Sequence, residues 1–298
     1  MMNGILNIFK PKGISSHQVV REVRNILNIP KVGHTGTLDP SASGVLLLCL
    51  GQATKIAEFL VGMKKYYQGE MTLGITTDSQ DAEGKIIGKK EVGTDIDEKK
   101  IRDIFQKYEG TISQIPPMFS AAHYKGKRLY NLARKGIEVK RSPKKIKIYQ
   151  FNLINFDQRV NPIVKFEVVC SKGTYIRTLC SDIGKKLGCG ACLARLRRLK
   201  TGPFTIKMAI SLDVLKEAIK AGKWQDYLMD LNQALASFEA IILNEDQETQ
   251  IKHGRFIFWP HKLTKPLIRA LNKQSRLVAL VQTQETQKGM RLHPVKVF

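Results

Sequence analysis

The chain has 298 residues, with 49 Lys and Arg against 26 Asp and Glu, giving a formal net charge of +23. That length can bury a large core and suggests about two domains; 43% apolar residues mark a globular protein, and the longest apolar run, Val45 to Leu50, is far too short to span a bilayer. So large a positive excess makes a polyanion the leading partner, and nucleic acid comes before a lipid surface because no basic amphipathic helix stands out. Met1 to Asn7 lacks the layout of a signal peptide, so a cytoplasmic protein is expected. The five cysteines, Cys49, Cys170, Cys180, Cys189 and Cys192, read as reduced, buried thiols. Cys189 and Cys192 have ligand spacing, yet no second pair or suitably spaced His accompanies them, and no metal is expected.

In chain order, Ile5 to Phe9 reads as a strand ending in the turn Lys10-Pro11-Lys12-Gly13. Ser15 with Gln18 forms a capping box, and Val19, Val20, Val23, Ile26 and Leu27 recur at helical spacing behind it. The polar loop Gly33 to Gly44 then runs directly into the apolar segment Val45 to Leu50. Its one acid, Asp39, precedes Pro40, which biases it towards an extended conformation, so the carboxylate should sit on a stiff loop anchored by a strand. That setting suits a nucleophile or general base, although Asp before Pro among Gly and Ser is also ordinary turn chemistry.

Ala53 to Met63 has a helical pattern. Tyr67, Gly69, Met71, Leu73 and Ile75 then alternate with Tyr66, Gln68, Glu70, Thr72 and Gly74, which predicts a strand with one buried face. A strand tyrosine serves either as core or as a stacking surface with a hydroxyl. Thr76 to Gly84 is a polar turn whose acids cap and turn, Asp97 to Tyr108 is helical, and Pro116 and Pro117 hold Gln114 to Ala121 extended. From His123 to Gln150 come ten Lys or Arg, among them Lys125, Arg128, Arg134, Lys135 and Arg141, against the single acid Glu138, with Tyr124 and Tyr130 between them. Phosphate-binding charge beside stacking surface suits an RNA grip, and equally a solvated face. Val164 to Cys170 reads as a strand and Ile210 to Leu235 as helical; after about Ser237 only short alternating stretches follow. Two domains are therefore expected, over 1–236 and 237–298.

The string GHTGTLDP followed by ASGVL at Gly33 to Leu46 resembles the signature loop of the bacterial tRNA pseudouridine-55 synthases, the TruB family. Lys10-Pro11 to Ser16 resembles that family's first motif, which supports the loop. The Lys-x-Tyr pattern counted back from Leu73 selects Tyr67 as its active-site tyrosine, and Gly173-Thr174-Tyr175-Ile176-Arg177 resembles its third motif. Leu193 to Phe204 resembles its Leu-x-Arg-Leu-Arg-Arg segment, with Leu199 where the family usually has Thr. The resemblance implies an α+β pseudouridine synthase fold: a mixed, largely antiparallel central sheet flanked by helices, and a small C-terminal β-rich PUA-like RNA-binding domain. It implies Asp39 as catalytic nucleophile, His34 beside the flipped nucleotide, Tyr67, Tyr175 and Leu196 around the uracil, and Arg177 paired with Asp39. It places Lys125, Arg128, Arg134, Lys135, Arg141, Arg197 and Arg198 against the RNA backbone, with 123–150 as an insertion closing on the T arm of tRNA. No cofactor, no obligatory protein partner and a monomer are expected. Two other readings compete: an RNA-binding or RNA-folding protein in which Asp39 only turns the chain, and a dyskerin-like synthase that takes its target from a guide RNA.

Overall fold

The structure, a computed structural model, describes residues 3–287 and 289–298; Met1 and Met2, part of the signal-peptide reading, lie outside them. Its larger sheet has ten strands. The main path runs Leu228–Met229, Gly4–Lys10, Ser43–Leu50, Ala191–Thr201, Lys65–Leu73, Ile163–Cys170, Lys144–Asp157, Gly110–Gln114, with Val32–His34 and Phe204–Thr205 attached beside it. Every pairing is antiparallel except Ser43–Leu50 against Ala191–Thr201, so the sheet is mixed and largely antiparallel.

The strand Ser43–Leu50 explains the longest apolar run in the sequence. Leu46, Leu48 and Leu50 face the helix Ser16–Leu27 through Val19, Val20 and Val23. Val45, Leu47 and Cys49 face the other way, against Ala53, Ile56, Leu60 and Phe204. A strand covered on both faces has no need of alternation. By contrast, Lys65–Leu73 alternates strictly between buried and half-buried positions, with Tyr67 on the inward side. That side carries the largest core, where Phe151 stacks on Phe105 at 4.0 Å and meets Phe166 at 5.5 Å under the helices Glu98–Tyr108 and Ile176–Leu187.

The capping box forms as its sequence predicts, Ser15 and Gln18 satisfying each other's backbone N–H groups at the start of Ser16–Leu27. The helix expected over 53–63 is shorter and tighter: a 3-10 turn, Gly51–Ile56, runs into one α-helical stretch, Ala57–Val61. The basic insertion is also shorter than 123–150. Residues 144–150 belong to the long strand Lys144–Asp157, where Ile146 and Ile148 are buried and the neighbouring lysines are exposed. What projects is a small hairpin, His123–Tyr124 with Lys127–Arg128, and the helix Leu129–Ala133.

A second sheet begins at Ala240, with Ala240–Ile242 parallel to Leu267–Leu271, followed by Leu277–Thr286, Gly289–Val297 and Ile257–Trp259. It wraps its own core around Ile251 of the helix Glu245–Lys252. Leu280 from this sheet and Phe298 just after its last strand pack into the cluster beneath Val45 and Leu47, and Lys55 donates to the Val297 carbonyl at 2.9 Å. The small domain therefore covers one face of the strand that carries the Asp39 loop.

Gly44 sits where that loop enters the sheet. Its φ is +110°, and a Cβ there would lie 2.2 Å from the Arg198 carbonyl oxygen. Gly44→Ala is expected to cost about 3 kcal/mol in urea unfolding, since a strained backbone and a clash with main chain add together. Gly33→Ala, whose added carbon would meet only Thr54 at 4.0 Å, is the control expected to change stability little. Equal effects at the two positions would show that the strand contact does not constrain Gly44.

Candidate active site

The loop that presents Asp39 is tied down from three directions. Ser16 Oγ accepts from the Leu38 N–H at 2.8 Å and donates to its carbonyl at 3.0 Å. Lys10, fully buried, donates from Nζ to the carbonyls of Pro11, Ile14 and Pro40, while the Gly13 N–H also meets Pro40 at 2.9 Å. Arg198 donates from Nε to the Val45 carbonyl at 2.7 Å and from Nη2 to Gly36 at 3.1 Å. The turn closes with the Ala42 N–H on the Asp39 carbonyl. Turn chemistry thus uses the Asp39 backbone and leaves its carboxylate to other partners.

That partner is Arg177, in the first turn of the helix Ile176–Leu187. Its Nε lies 2.9 Å from Asp39 Oδ2, and only 5% of its side chain is exposed. Nη1 donates to the Ser79 carbonyl at 3.0 Å and stands 3.5 Å from Asp81 Oδ2; Nη2 donates to the Phe119 carbonyl at 2.8 Å. A planar guanidinium held by four partners in this way fixes the carboxylate's direction as well as its charge environment.

Asp39 stands at the wall of an inner cavity of about 220 Å³ shared with Lys65, Tyr67, Tyr175, Arg177 and Leu196. Burial pushes the Tyr67 phenol up, against the opposing influence of the Arg198 charge. Tyr175 is held through its backbone: Gln114 accepts from its N–H at 2.8 Å and donates to its carbonyl at 3.0 Å. Burial lowers Lys10 and Lys65 to about 8. The same Asp39 lines an outer cleft of about 720 Å³, whose far wall is Arg128, Tyr130 and Arg134 of the insertion.

The structure therefore gathers Asp39, Tyr67, Tyr175, Arg177 and Leu196 around one cavity. His34 shares the loop but turns to His17, edge-on at 5.3 Å, and its Nδ1 accepts from the Gly36 N–H at 3.3 Å. Burial, then His17 and Arg198, lower its pKa to about 4, so the ring is neutral at neutral pH. Lys125 and Lys135 are exposed on the insertion, and Arg128 and Arg134 flank the Tyr130 ring at 6.0 and 5.5 Å. Arg197 is exposed beside the Phe9 ring.

Two of the arginines assigned to the RNA backbone do other work. Arg198 is 3% exposed and its donors face inward, so it holds the Asp39 loop instead of a phosphate. Arg141 reaches the Pro116 carbonyl at 3.2 Å and Glu138 at 3.1 Å, anchoring the root of the insertion. Sequence reasoning missed Lys65 and Gln114 as parts of the site. It read Asp81 as a turn residue, which it is, accepting from Ser79 Oγ and the Glu83 N–H, but it missed the contact with Arg177. The five cysteines are free and buried, and among the described residues no three His, Cys, Asp or Glu side chains come together as metal ligands.

A carboxylate held by a buried arginine over a tyrosine-lined cavity, on a largely antiparallel sheet with a basic insertion, is an arrangement suited to an enzyme that acts on a ring-bearing, anionic substrate. The chain belongs to the TruB family of pseudouridylate synthases: the model of that family's N-terminal domain matches residues 24–176, and that of the tRNA pseudouridylate synthase B C-terminal domain matches 177–242. Similar proteins include tRNA pseudouridine synthase B of Clostridium tetani (strain Massachusetts / E88), 46% identical with 85% of each chain covered. The enzyme of the same name from Bacillus cereus (strain ATCC 10987 / NRS 248) is 39% identical over 100% of this chain and 97% of its own. Among solved structures, an H/ACA RNP bound to a substrate RNA containing 2′-deoxyuridine has a chain that matches with a TM-score of 0.75 and 26% identity, covering 99% of this chain and 84% of that one. A Cbf5-Nop10-Gar1 complex matches equally well, at 0.75 and 27% identity, with the same coverage of both chains.

His34 carries a pH prediction. Its pKa is lowered on folding, from 6.5 to about 4, so protons bind the unfolded chain in preference and stability at this site is lost as pH falls through that window. His34→Phe should therefore lose less stability than the wild type when urea unfolding is compared at about pH 7 and about pH 5. Parallel losses would mean that His34 titrates alike in both states.

Proposed function

We propose that the protein isomerises uridine 55 in the T loop of tRNA to pseudouridine, after flipping that nucleotide into the inner cavity. The observation that carries this reading is the Asp39 carboxylate, paired at 2.9 Å with Arg177 on the wall of a cavity sized for one base. The reaction breaks the bond between ribose C1′ and uracil N1, turns the ring, and joins C1′ to C5; the hydrogen of C5 leaves to water. Asp39 is the nucleophilic or basic carboxylate of that sequence, and Arg177 is the positioning residue that aims it. Tyr67 offers a ring face to the uracil, with Tyr175 and Leu196 closing the sides. His34, neutral and beside the loop, is suited to take the place of the extruded base in the stack.

Lys125, Arg128, Arg134 and Lys135 would contact the phosphates of the T arm across the outer cleft, with Arg197 on the near side. The C-terminal domain is read as a PUA-like module that adds RNA surface. The enzyme acts as a cytoplasmic monomer, without cofactor or obligatory protein partner. Likeness to tRNA pseudouridine synthases at 39–46% identity over 85–100% of the chain favours this over the guide-dependent alternative, to which the solved H/ACA proteins at 26–27% identity are closer in kind.

Release of tritium from a tRNA transcript carrying 5-tritiated uridine, with no guide RNA or metal added, tests the reading. The wild type should release it and Asp39→Asn should not, while tRNA affinity stays within about twofold because the carboxylate acts on the reacting centre. Tight tRNA binding without any release by the wild type would favour an RNA-folding protein or a guide-dependent enzyme. Arg177→Ala should lower the rate by about 100-fold, far more than it weakens binding; equal losses would remove its role as the partner of Asp39. Changing Lys125, Arg128, Arg134 and Lys135 together to Gln should weaken binding and flatten its salt dependence by about 0.7 to 0.9 per lost phosphate contact. An unchanged slope would place the grip elsewhere.

A further inference from the structure

The polar wall of the inner cavity can be counted donor by donor. Arg177 commits Nε to Asp39 and one N–H of each terminal nitrogen to the carbonyls of Ser79 and Phe119. Arg198 commits Nε and Nη2 to the carbonyls of Val45 and Gly36. Both guanidiniums are thereby tied to the Asp39 loop and its strand; Lys65 is not. It is 5% exposed, and its Nζ donates to the carbonyls of Val61 and Met63. An ammonium has three N–H groups, so one is uncommitted. No carboxylate of the described residues acts on it; the charges that do are Arg198 and Lys172, both cationic, and the Cys170 thiol.

A buried cation facing two other cations and no anion is costly to keep. Binding the carbonyl of Val61, the last residue of the short helix Ala57–Val61, and that of Met63 just beyond it explains two of its hydrogen bonds. It does not explain why the ammonium should be buried in the wall of the cavity that holds Asp39, since a lysine on the surface could cap the same carbonyls with less desolvation. A ligand that brings negative charge into the cavity would explain it.

We propose that Lys65 is a catalytic residue of the isomerisation, its third N–H donating to a ring carbonyl oxygen of the flipped uracil and stabilising the charge that the ring takes up. The inference rests on the function proposed above. When the C1′–N1 bond breaks, its electron pair stays with the ring and is shared among N1, O2 and O4. If Asp39 adds to ring C6 instead, the displaced pair moves through C5 to O4. Either route places negative charge on a carbonyl oxygen. Lys65 supplies a charge-assisted hydrogen bond and keeps its proton throughout. C5 then uses the pair to bond to C1′, the C5 proton leaves to water, and N1 takes one proton up, so substrate and product have the same composition. In a cavity shielded from water, one such preorganised donor is worth about 10²- to 10³-fold in rate.

Single-turnover tritium release and tRNA affinity are measured side by side for wild type, Lys65→Met and Lys65→Gln, each checked for a cooperative thermal melt. Lys65→Met should react about 100-fold or more slowly with little change in Kd, and Lys65→Gln, which keeps a neutral donor, should fall between it and the wild type. A wild-type rate in Lys65→Met, or losses of rate and affinity in step, would overturn the proposal. A measurement independent of any variant uses the wild type on transcripts with sulfur in place of uracil O4 or of O2. One replacement should slow turnover about 10-fold or more, since sulfur accepts the bond poorly; full rates with both would overturn the proposal. Absence of release by the wild type on ordinary tRNA would instead refute the underlying function.

Discussion

A guanidinium that is almost completely buried has five N–H groups to satisfy, and leaving its charge uncompensated would cost several kcal/mol. Arg177 meets that demand by drawing three separate stretches of chain to one point: the Asp39 loop, the turn that ends at Asp81 and Ser79, and the extended segment at Phe119. The rest of the site is arranged around this convergence. Because Phe119 is followed at once by Ser120 and Ala121, which line both the inner cavity and the outer cleft, the segment leading to the basic insertion shares its anchor with the carboxylate. A shift in that segment would be felt at Asp39 through a single side chain.

The carboxylate's other support is backbone rather than charge. Ser43–Leu50 is buried on both faces, one by the helix Ser16–Leu27 and the other by packing that includes Leu280 and Phe298 of the C-terminal domain. The loop therefore leaves a strand that has no freedom to tilt, and Gly44 lets the Arg198 backbone close against its first turn. Lys10 and Ser16 hold the loop's outer side at its Pro40 and Leu38 backbone groups. The small domain contributes to the site without touching it, by completing the core under the strand that bears the loop.

Features set by local rules were legible in the sequence. The capping box at Ser15 needs only four residues, and alternation marks Lys65–Leu73 as a strand with one buried face; the choice of Tyr67 over Tyr66 comes from the family resemblance, and the structure puts Tyr67 on the inward side. The same rule, applied to Ala191–Thr201, would have separated the adjacent arginines: Leu196 and Arg198 share the cavity side, while Arg195 and Arg197 point to solvent. Charge obscured that parity, as it did at Lys144–Asp157, where Ile146 and Ile148 alternate with lysines in a plain strand pattern. Gln114, Lys65 and the Asp81 contact were beyond local reasoning. Gln114 meets Tyr175 across 61 residues, and no short-range signal marks a side chain that clamps a distant backbone.

The positive charges fall into two populations that respond differently to their surroundings. Lys125, Lys135 and Arg134 on the insertion are exposed, so ions screen them over roughly 8 to 10 Å at ordinary salt. Lys10, Lys65, Arg177 and Arg198 are buried around Asp39, where neither water nor salt relieves them and each must be neutralised by carbonyls or by a carboxylate. Long-range attraction for a polyanion belongs to the screened group, whereas the buried one acts only on what enters the cavity. Salt therefore weakens the first and leaves the field inside the cavity nearly constant.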